Sequence, residues 1–216
     1  MIAGAGLQPT VGISGVTGQA PMLDVVFPLR GTTIASDYGD ALAAQLSAAL
    51  PWLADETGSG VHPIRGTTTL GDQLLLGSRA TLTVRVPQAR GDACGRLVGA
   101  RLDLAGAIEL GAPRLRALLA HPTLYSPLVV TGCTEEADFY DAVRATLSAW
   151  GVSCDVVIGR RQTKRIAGAE RTGFSLMLHG LTPAASLHAQ CAGVGAHRLL
   201  GCGLFVPHRS ADPAFR

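Results

Sequence analysis

The hydrophobic pattern alternates between a strand period and a helix period, and it does so twice in the same order. Residues 23–29 (LDVVFPL) are a short apolar run with β-branched members and predict a strand. Ser36 or Asp37 then stands where a helix cap is needed. That helix runs to about Leu50, with Leu42, Leu46, Ala49 and Leu50 on one face. Residues 61–65 are a short strand. Residues 74–76 and 80–86 read as one bent strand whose second part alternates as Leu82, Val84, Val86. A weak helix over 92–98, damaged by Gly95, and a strand over 102–110 complete a β-α-β-β-α-β series.

The second half repeats the series. Residues 124–130 predict a strand. Thr134 caps a helix over 135–150, with Phe139, Val143, Leu147 and Trp150 as its apolar stripe and Glu135 and Glu136 at its positive end. Residues 156–158 and 174–178 are strands flanking a basic connection. Thr182 caps a shorter helix over 183–190 with Pro183 in its first position, and residues 204–206 close the unit. Two such units predict an α+β protein of two tandem ferredoxin-like (RRM-like) domains, residues 22–120 and 121–210. Residues 1–21 are uncharged and rich in Gly, Thr, Gln and Pro, and read as a flexible extension.

The charge is unevenly spread. The 216 residues carry a net charge of +2, but residues 1–150 hold 10 basic and 13 acidic side chains, and residues 151–216 hold 8 basic and 3 acidic. Lys164 is the only lysine; the other basic residues are arginines. Arginine forks match phosphate geometry and stack on bases, which suits RNA, although a GC-rich coding bias raises arginine as well. The five cysteines include no CxxC pair, so neither a zinc site nor a disulfide framework is legible, and a reducing cytoplasm is expected. No apolar run is long enough to cross a membrane, and the N-terminus lacks a basic region of secretory type.

Two stretches stand out chemically. Residues 160–171 (RRQTKRIAGAER) hold Arg160, Arg161, Lys164, Arg165 and Arg171 against one acid, Glu170. As a β-hairpin they would flank an RNA groove and meet phosphates; as a plain loop they would only be solvated. Residues 193–203 (GVGAHRLLGCG) carry two Gly-x-Gly pairs, Gly193/Gly195 and Gly201/Gly203, with His197 and Arg198 between them. Such a loop lets a backbone or a phosphate come close, or it is simply a tight turn against a helix. It is neither a dinucleotide fingerprint nor a P-loop.

This glycine string resembles the C-terminal signature of the CRISPR-associated pre-crRNA endoribonucleases, the Cas six family. Val194 and Cys202 fill its hydrophobic slots and Arg198 its basic slot. The strings at 24–31 (DVVFPLRG), 61–64 (VHPI), 110–114 (LGAPR), 123–125 (TLY) and 201–207 (GCGLFVP) resemble the myxobacterial-type subgroup, so the resemblance spans residues 22–209. It implies two ferredoxin-like domains that bind a CRISPR repeat, often a stem-loop, and retain the crRNA alongside other Cas subunits. It also implies one metal-independent, cofactor-free cut by the 2′-hydroxyl, leaving a 2′,3′-cyclic phosphate and a 5′-hydroxyl.

That chemistry needs a base, a cation for the phosphorane and an acid for the leaving oxygen. The subgroup resemblance implies a histidine in an Asp-His-Gly string at the start of the first helix. Here the string is Asp37-Tyr38-Gly39, a departure that bears on cleavage and not on RNA binding. His62 is then the base of choice, with Arg65 or Arg198 steadying the phosphate, and Tyr38 an orienting or proton-donating group. His62 also reads as an ordinary turn histidine before Pro63. Arg30 and Arg65, each before a glycine, are candidate cleft cations. A cleavage-deficient crRNA-binding subunit is the alternative reading. A small-molecule-binding tandem ferredoxin protein is a third, disfavoured by the basic segment and the glycine string.

Overall fold

The computed structural model describes residues 20–208, so nearly all of the stretch read as a flexible extension lies outside the described residues. The chain orders its elements as β1 (Met22–Arg30), β2 (Thr33–Ala35), α1 (Gly39–Ala49), β3 (Gly60–Val61), β4 (Thr68–Leu70), β5 (Gln73–Leu75), β6 (Thr81–Pro87), β7 (Arg101–Asp103), β8 (Ala107–Leu110) and β9 (Arg114–Ala117). Then come β10 (Thr123–Val129), α2 (Glu136–Ala149), β11 (Asp155–Ile166), β12 (Ala169–His179), α3 (Pro183–Ala192) and β13 (Val206–Pro207).

In the second half the sheet order is β11-β12-β10-β13, all antiparallel, with α2 and α3 as the crossovers. This is the ferredoxin-like arrangement, in which the first and third strands of the unit are central. The first half follows the same plan as β3-β6-β1-β8, extended by β7 and by β9, which also pairs with β1. One side of β1 is shared. β9 pairs with residues 23–26 and β8 with Leu29 and Arg30. Pro28, which has no N–H to donate, lies in the gap between them.

Each half has its own core. Leu42, Leu46 and Leu50 of the first helical turn system pack on Val25, Phe27, Leu82 and Val84. Phe139, Val143 and Leu147 of α2 pack with Phe174, Leu176 and Phe205. Complete burial of each such side chain is worth about 1.5–3 kcal/mol. A third cluster of Leu128, Val130, Ile166 and Cys202, with Leu200 against it, lies under the hairpin made by β11 and β12.

Several local expectations change. Ala49 is exposed rather than on the buried stripe. Neither Ser36 nor Asp37 caps α1, because the helix starts later in the chain, after Tyr38, and has no side-chain cap. Thr134 likewise gives way to Glu135 as the residue before α2. Residues 74–76 and 80–86 are not one bent strand: β5 belongs to a separate small sheet, β2-β5-β4. The second helix of the first unit is reduced to a 3-10 turn, Asp92–Leu97. Residues 102–110 form a hairpin, β7 and β8, and not one strand. Thr182 does cap α3, accepting from Ala185 N–H at 3.2 Å.

Candidate functional site

β3 is only two residues long, yet it fixes His62. Its pairing with β6 sets Gly60 opposite Arg85, and His62 N–H continues the ladder to Thr83 O at 2.9 Å. The imidazole thereby reaches the face of the sheet that carries Asp24 of β1 and Arg85 of β6. Arg85 Nε donates to Asp24 Oδ1 at 2.8 Å and its NH2 group to Oδ2 at 3.2 Å; Arg116 of β9 donates to Oδ2 at 2.9 Å. His62 Nε2 stands 3.5 Å from Asp24 Oδ1 and makes no hydrogen bond of good geometry, so a buried ring nitrogen is left unpartnered.

Arg85 does more than pair. Its NH1 group donates to Gln190 O and Phe205 O, both at 2.9 Å, tying the first sheet to the end of α3 and to the segment before β13. With Arg65, Arg79 and Gln190 the cluster lines a cleft of about 520 Å³. His62 also lines a neighbouring cleft of about 500 Å³, shared with Tyr38, Asp40, Lys164 and Arg165.

Burial by itself raises the Asp24 carboxyl, but His62 and Arg85 beside it outweigh that, and it titrates well below the usual carboxylate range. Burial lowers the His62 imidazole, Asp24 opposes this, and Arg85 and Arg116 reinforce it, so the ring is held below its ordinary value. Both groups therefore bind fewer protons folded than unfolded. Stability contributed by His62 is complete above about pH 6.5 and is lost as the pH falls from there toward its folded value. Asp24 adds a second loss below about pH 4. Urea midpoints measured from pH 7.5 downward should show a decline beginning near pH 6.5. His62→Asn should shrink that first decline, leaving the part that His188, also lowered by burial, contributes, and should leave the lower one in place; an unchanged profile in the variant would disprove the assignment.

Tyr38 is not free to act as a base. Its hydroxyl accepts from Ile64 N–H at 2.6 Å, and burial pushes it up to about 12. The bond fastens the segment after His62 to the start of α1.

The glycine string is a place of close backbone approach, but the approaching backbone is the protein's own. Gly193, Gly201 and Gly203 are buried and offer little surface of their own, although Gly201 lines the cleft of Lys164 and Arg165; only Gly195 of the four is exposed. All four have positive φ, between 65° and 83°. A Cβ on Gly203 would stand 2.1 Å from Val194 O, one on Gly195 would stand 2.3 Å from Val130 O, and one on Gly201 would stand 3.0 Å from the Pro63 ring. The two Gly-x-Gly pairs are thus crossed over each other, with Val194 N–H bonded to Gly203 O at 3.2 Å.

Gly203→Ala is expected to lower unfolding free energy by about 3 kcal/mol or more, through crowding added to strain. Gly151→Ala is the control. Gly151 has φ 66° but nothing within 4 Å of a Cβ, so its loss should be only about 1 kcal/mol. Equal losses in urea denaturation would show that φ alone sets the constraint.

Arg198 also turns inward, contrary to its expected role at a phosphate. Its guanidinium donates to the backbone carbonyls of Gly58, Ser59, Cys191 and Ala192, the Ser59 and Cys191 bonds each being 3.1 Å. It closes the last turn of α3 and joins it to the residues before β3. Burial lowers its pKa to about 10, well above neutrality, so it stays charged. His197, at φ 64°, is half-buried beside it and lines a third, shallower depression.

The basic segment is a hairpin, and the connection itself is strand: β11 and β12 continue their register through Lys164 opposite Arg171 and Arg165 opposite Glu170. Arg160, Arg161, Lys164, Arg165 and Arg171 are all exposed. Arg161 stands 3.7 Å from Glu135. Arg65 is exposed on the cleft that it shares with Asp24 and Arg85, whereas Arg30 pairs with Glu109 at 3.6 Å and lines none of the three clefts.

Asp24, Arg85, Arg116 and Asp40 were missed in the sequence. The signal for two of them was present. Asp24 and Arg85 are single charges of opposite sign inside two apolar strands, and such charges survive burial only when paired. Among the described residues no group of three or more metal-ligating side chains is assembled, and no helix is long and apolar enough to cross a membrane.

The fold agrees with that of similar proteins. The family model described as Cas6 Crispr matches residues 23–210. The CRISPR-associated endonuclease Cas6 of Myxococcus xanthus is 38% identical over 187 residues, covering 86% of this chain and 81% of that one. A Cas6-related protein of Pyrococcus furiosus superposes with a TM-score of 0.62 at 12% identity, over 86% of this chain and 98% of that one. Another structure, described as CRISPR associated protein Cas6, gives 0.59 at 9% identity over 87% and 100% of the two chains. The fold is that of the tandem ferredoxin-like CRISPR-associated proteins. This chain belongs to the Cas6 family.

Proposed function

We propose that this chain binds CRISPR repeat RNA as a stem-loop and cuts the precursor once by metal-independent attack of a 2′-hydroxyl. It then stays on the crRNA hairpin in a complex with other Cas subunits. The observation that carries the reading is the juxtaposition, in one cleft, of the basic hairpin residues Lys164 and Arg165 with Tyr38 and His62, in a chain 38% identical to an endonuclease of this family. Residues 22–120 and 121–210 act as two domains that hold the RNA between a neutral imidazole and a cationic arm.

In this chemistry His62 takes the proton of the 2′-hydroxyl, and the 2′-oxygen bonds to phosphorus. The bond from phosphorus to the 5′-oxygen then breaks, and that oxygen takes up a proton. The products are a 2′,3′-cyclic phosphate and a 5′-hydroxyl. Lys164 and Arg165 line the Tyr38 cleft and Arg65 lines the neighbouring one, with His62 on both, and these cations steady the phosphorane. Tyr38 contributes by anchoring Ile64, two residues beyond His62. Incubating the repeat RNA with protein in EDTA should yield a single cut with a cyclic-phosphate end. His62→Ala should slow single-turnover cleavage at least about a hundredfold, with little change in affinity.

One observation favours the second reading, a crRNA-binding subunit without cleavage. The residue at the start of α1 is a tyrosine whose hydroxyl is already bonded, and the His62 side chain is only 11% exposed. If wild type binds but leaves the RNA whole, and Tyr38→His cuts, this reading replaces the first. If His62→Ala cuts as fast as wild type, the base is another residue.

A further inference from the structure

We propose that Asp40 is the positioning residue that sets the basic hairpin over the cleft. The role rests on the RNA-binding reading above. β10 pairs with β12 only as far as Phe174, so the outer part of the hairpin, through the turn at Ala167 and Gly168, has no third strand. A free two-stranded ribbon is marginal in water. Three contacts hold this one. Near its base, Gln162 Nε2 donates to Pro127 O at 2.8 Å. Ile166 is 4% exposed in the cluster of Leu128, Val130 and Cys202. Beyond it, Asp40 Oδ1 accepts from Ala167 N–H at 2.9 Å and Oδ2 from Gly168 N–H at 3.1 Å.

Asp40 lies in the first turn of α1, in the other half of the chain, and lines the same cleft as Lys164 and Arg165. A bare carboxylate there would repel an RNA phosphate. With each oxygen bonded to an amide, it serves instead as the anchor for the turn, through charge-assisted bonds. The left-handed turn, φ 51° at Ala167 and 73° at Gly168, aims both amides at the one carboxylate. Lys164 and Arg165 precede that turn directly, so fixing the tip fixes their approach to the cleft. An arm ordered in advance binds more tightly than one that must be ordered by the RNA.

The test combines amide hydrogen exchange with a double-mutant cycle on binding of a synthetic CRISPR-repeat stem-loop. Asp40→Ala should speed exchange at Ala167 and Gly168 about tenfold in the free protein, with Asp40→Asn intermediate because one acceptor oxygen remains. Asp40→Ala should weaken repeat binding about tenfold, and adding Lys164→Ala and Arg165→Ala should cost less than it does in wild type. In single-turnover cleavage the half-saturating concentration should rise while the saturated rate stays. Unchanged exchange, tighter RNA binding by Asp40→Ala, or additive losses would each overturn the role while leaving the functional reading standing. Failure of wild type to bind the repeat would overturn both.

Discussion

Replacing Arg160, Arg161, Lys164 and Arg165 together by alanine is expected to weaken repeat-RNA binding by about a hundredfold near 50 mM salt. Each phosphate contact contributes about 0.7–0.9 to the slope of log affinity against log salt, so four lost contacts remove about 3 from it. Raising salt from about 50 to about 200 mM should then cost the variant about two decades less than wild type. The four side chains are exposed, and only Arg161 has an ion-pair partner among the described residues, so folding stability should hardly move. Unchanged affinity together with an unchanged slope would remove the hairpin from the RNA interface. Lost affinity with an unchanged slope would mean that shape, and not charge, was damaged.

Arg85→Met should be the most damaging single change to the fold outside the glycine string, with a loss of about 3–5 kcal/mol in urea denaturation. Arg85 is 1% exposed, and its guanidinium satisfies the Asp24 carboxylate and two carbonyls of the other half, Gln190 O and Phe205 O. A methionine fills the space but leaves a buried carboxylate with only Arg116 and His62 beside it, and two carbonyls without their donor. Asp24→Asn combined with Arg85→Met should lose less than Arg85→Met alone, because no uncompensated charge then remains. A loss under about 1 kcal/mol for Arg85→Met would show that water reaches the network and does the arginine's work.

The order of strands and helices was legible because each core-facing element keeps its own period: Phe139, Val143 and Leu147 on α2, and Leu82, Val84 and Val86 on β6, are all fully buried. Elements without a buried face left no such trace. β4 is exposed at all three positions and shows no apolar alternation, and β9 is exposed at all four, its Arg-Leu-Arg-Ala alternation spanning only four residues and facing no core. The outer half of the β11–β12 hairpin reads equally as a hairpin or as a solvated loop for the same reason. Its strands leave the sheet, and both faces are polar until Ile166.

What the sequence determined by itself was composition along a line: two units in series, an excess of positive charge after residue 150, and a glycine string whose spacing matches the Cas6 family. Each of these depends on neighbours within a few residues. The tertiary structure alone decided which charges meet and which face outward. Arg198 and Lys164 are both cations in the basic stretch after residue 150, yet one is enclosed by four carbonyls and the other lines a cleft. Asp24 and Arg85 are 61 residues apart, and Asp40 and Gly168 are 128 apart. Their partners are set by strand register and by how the two halves dock, and no local pattern encodes either.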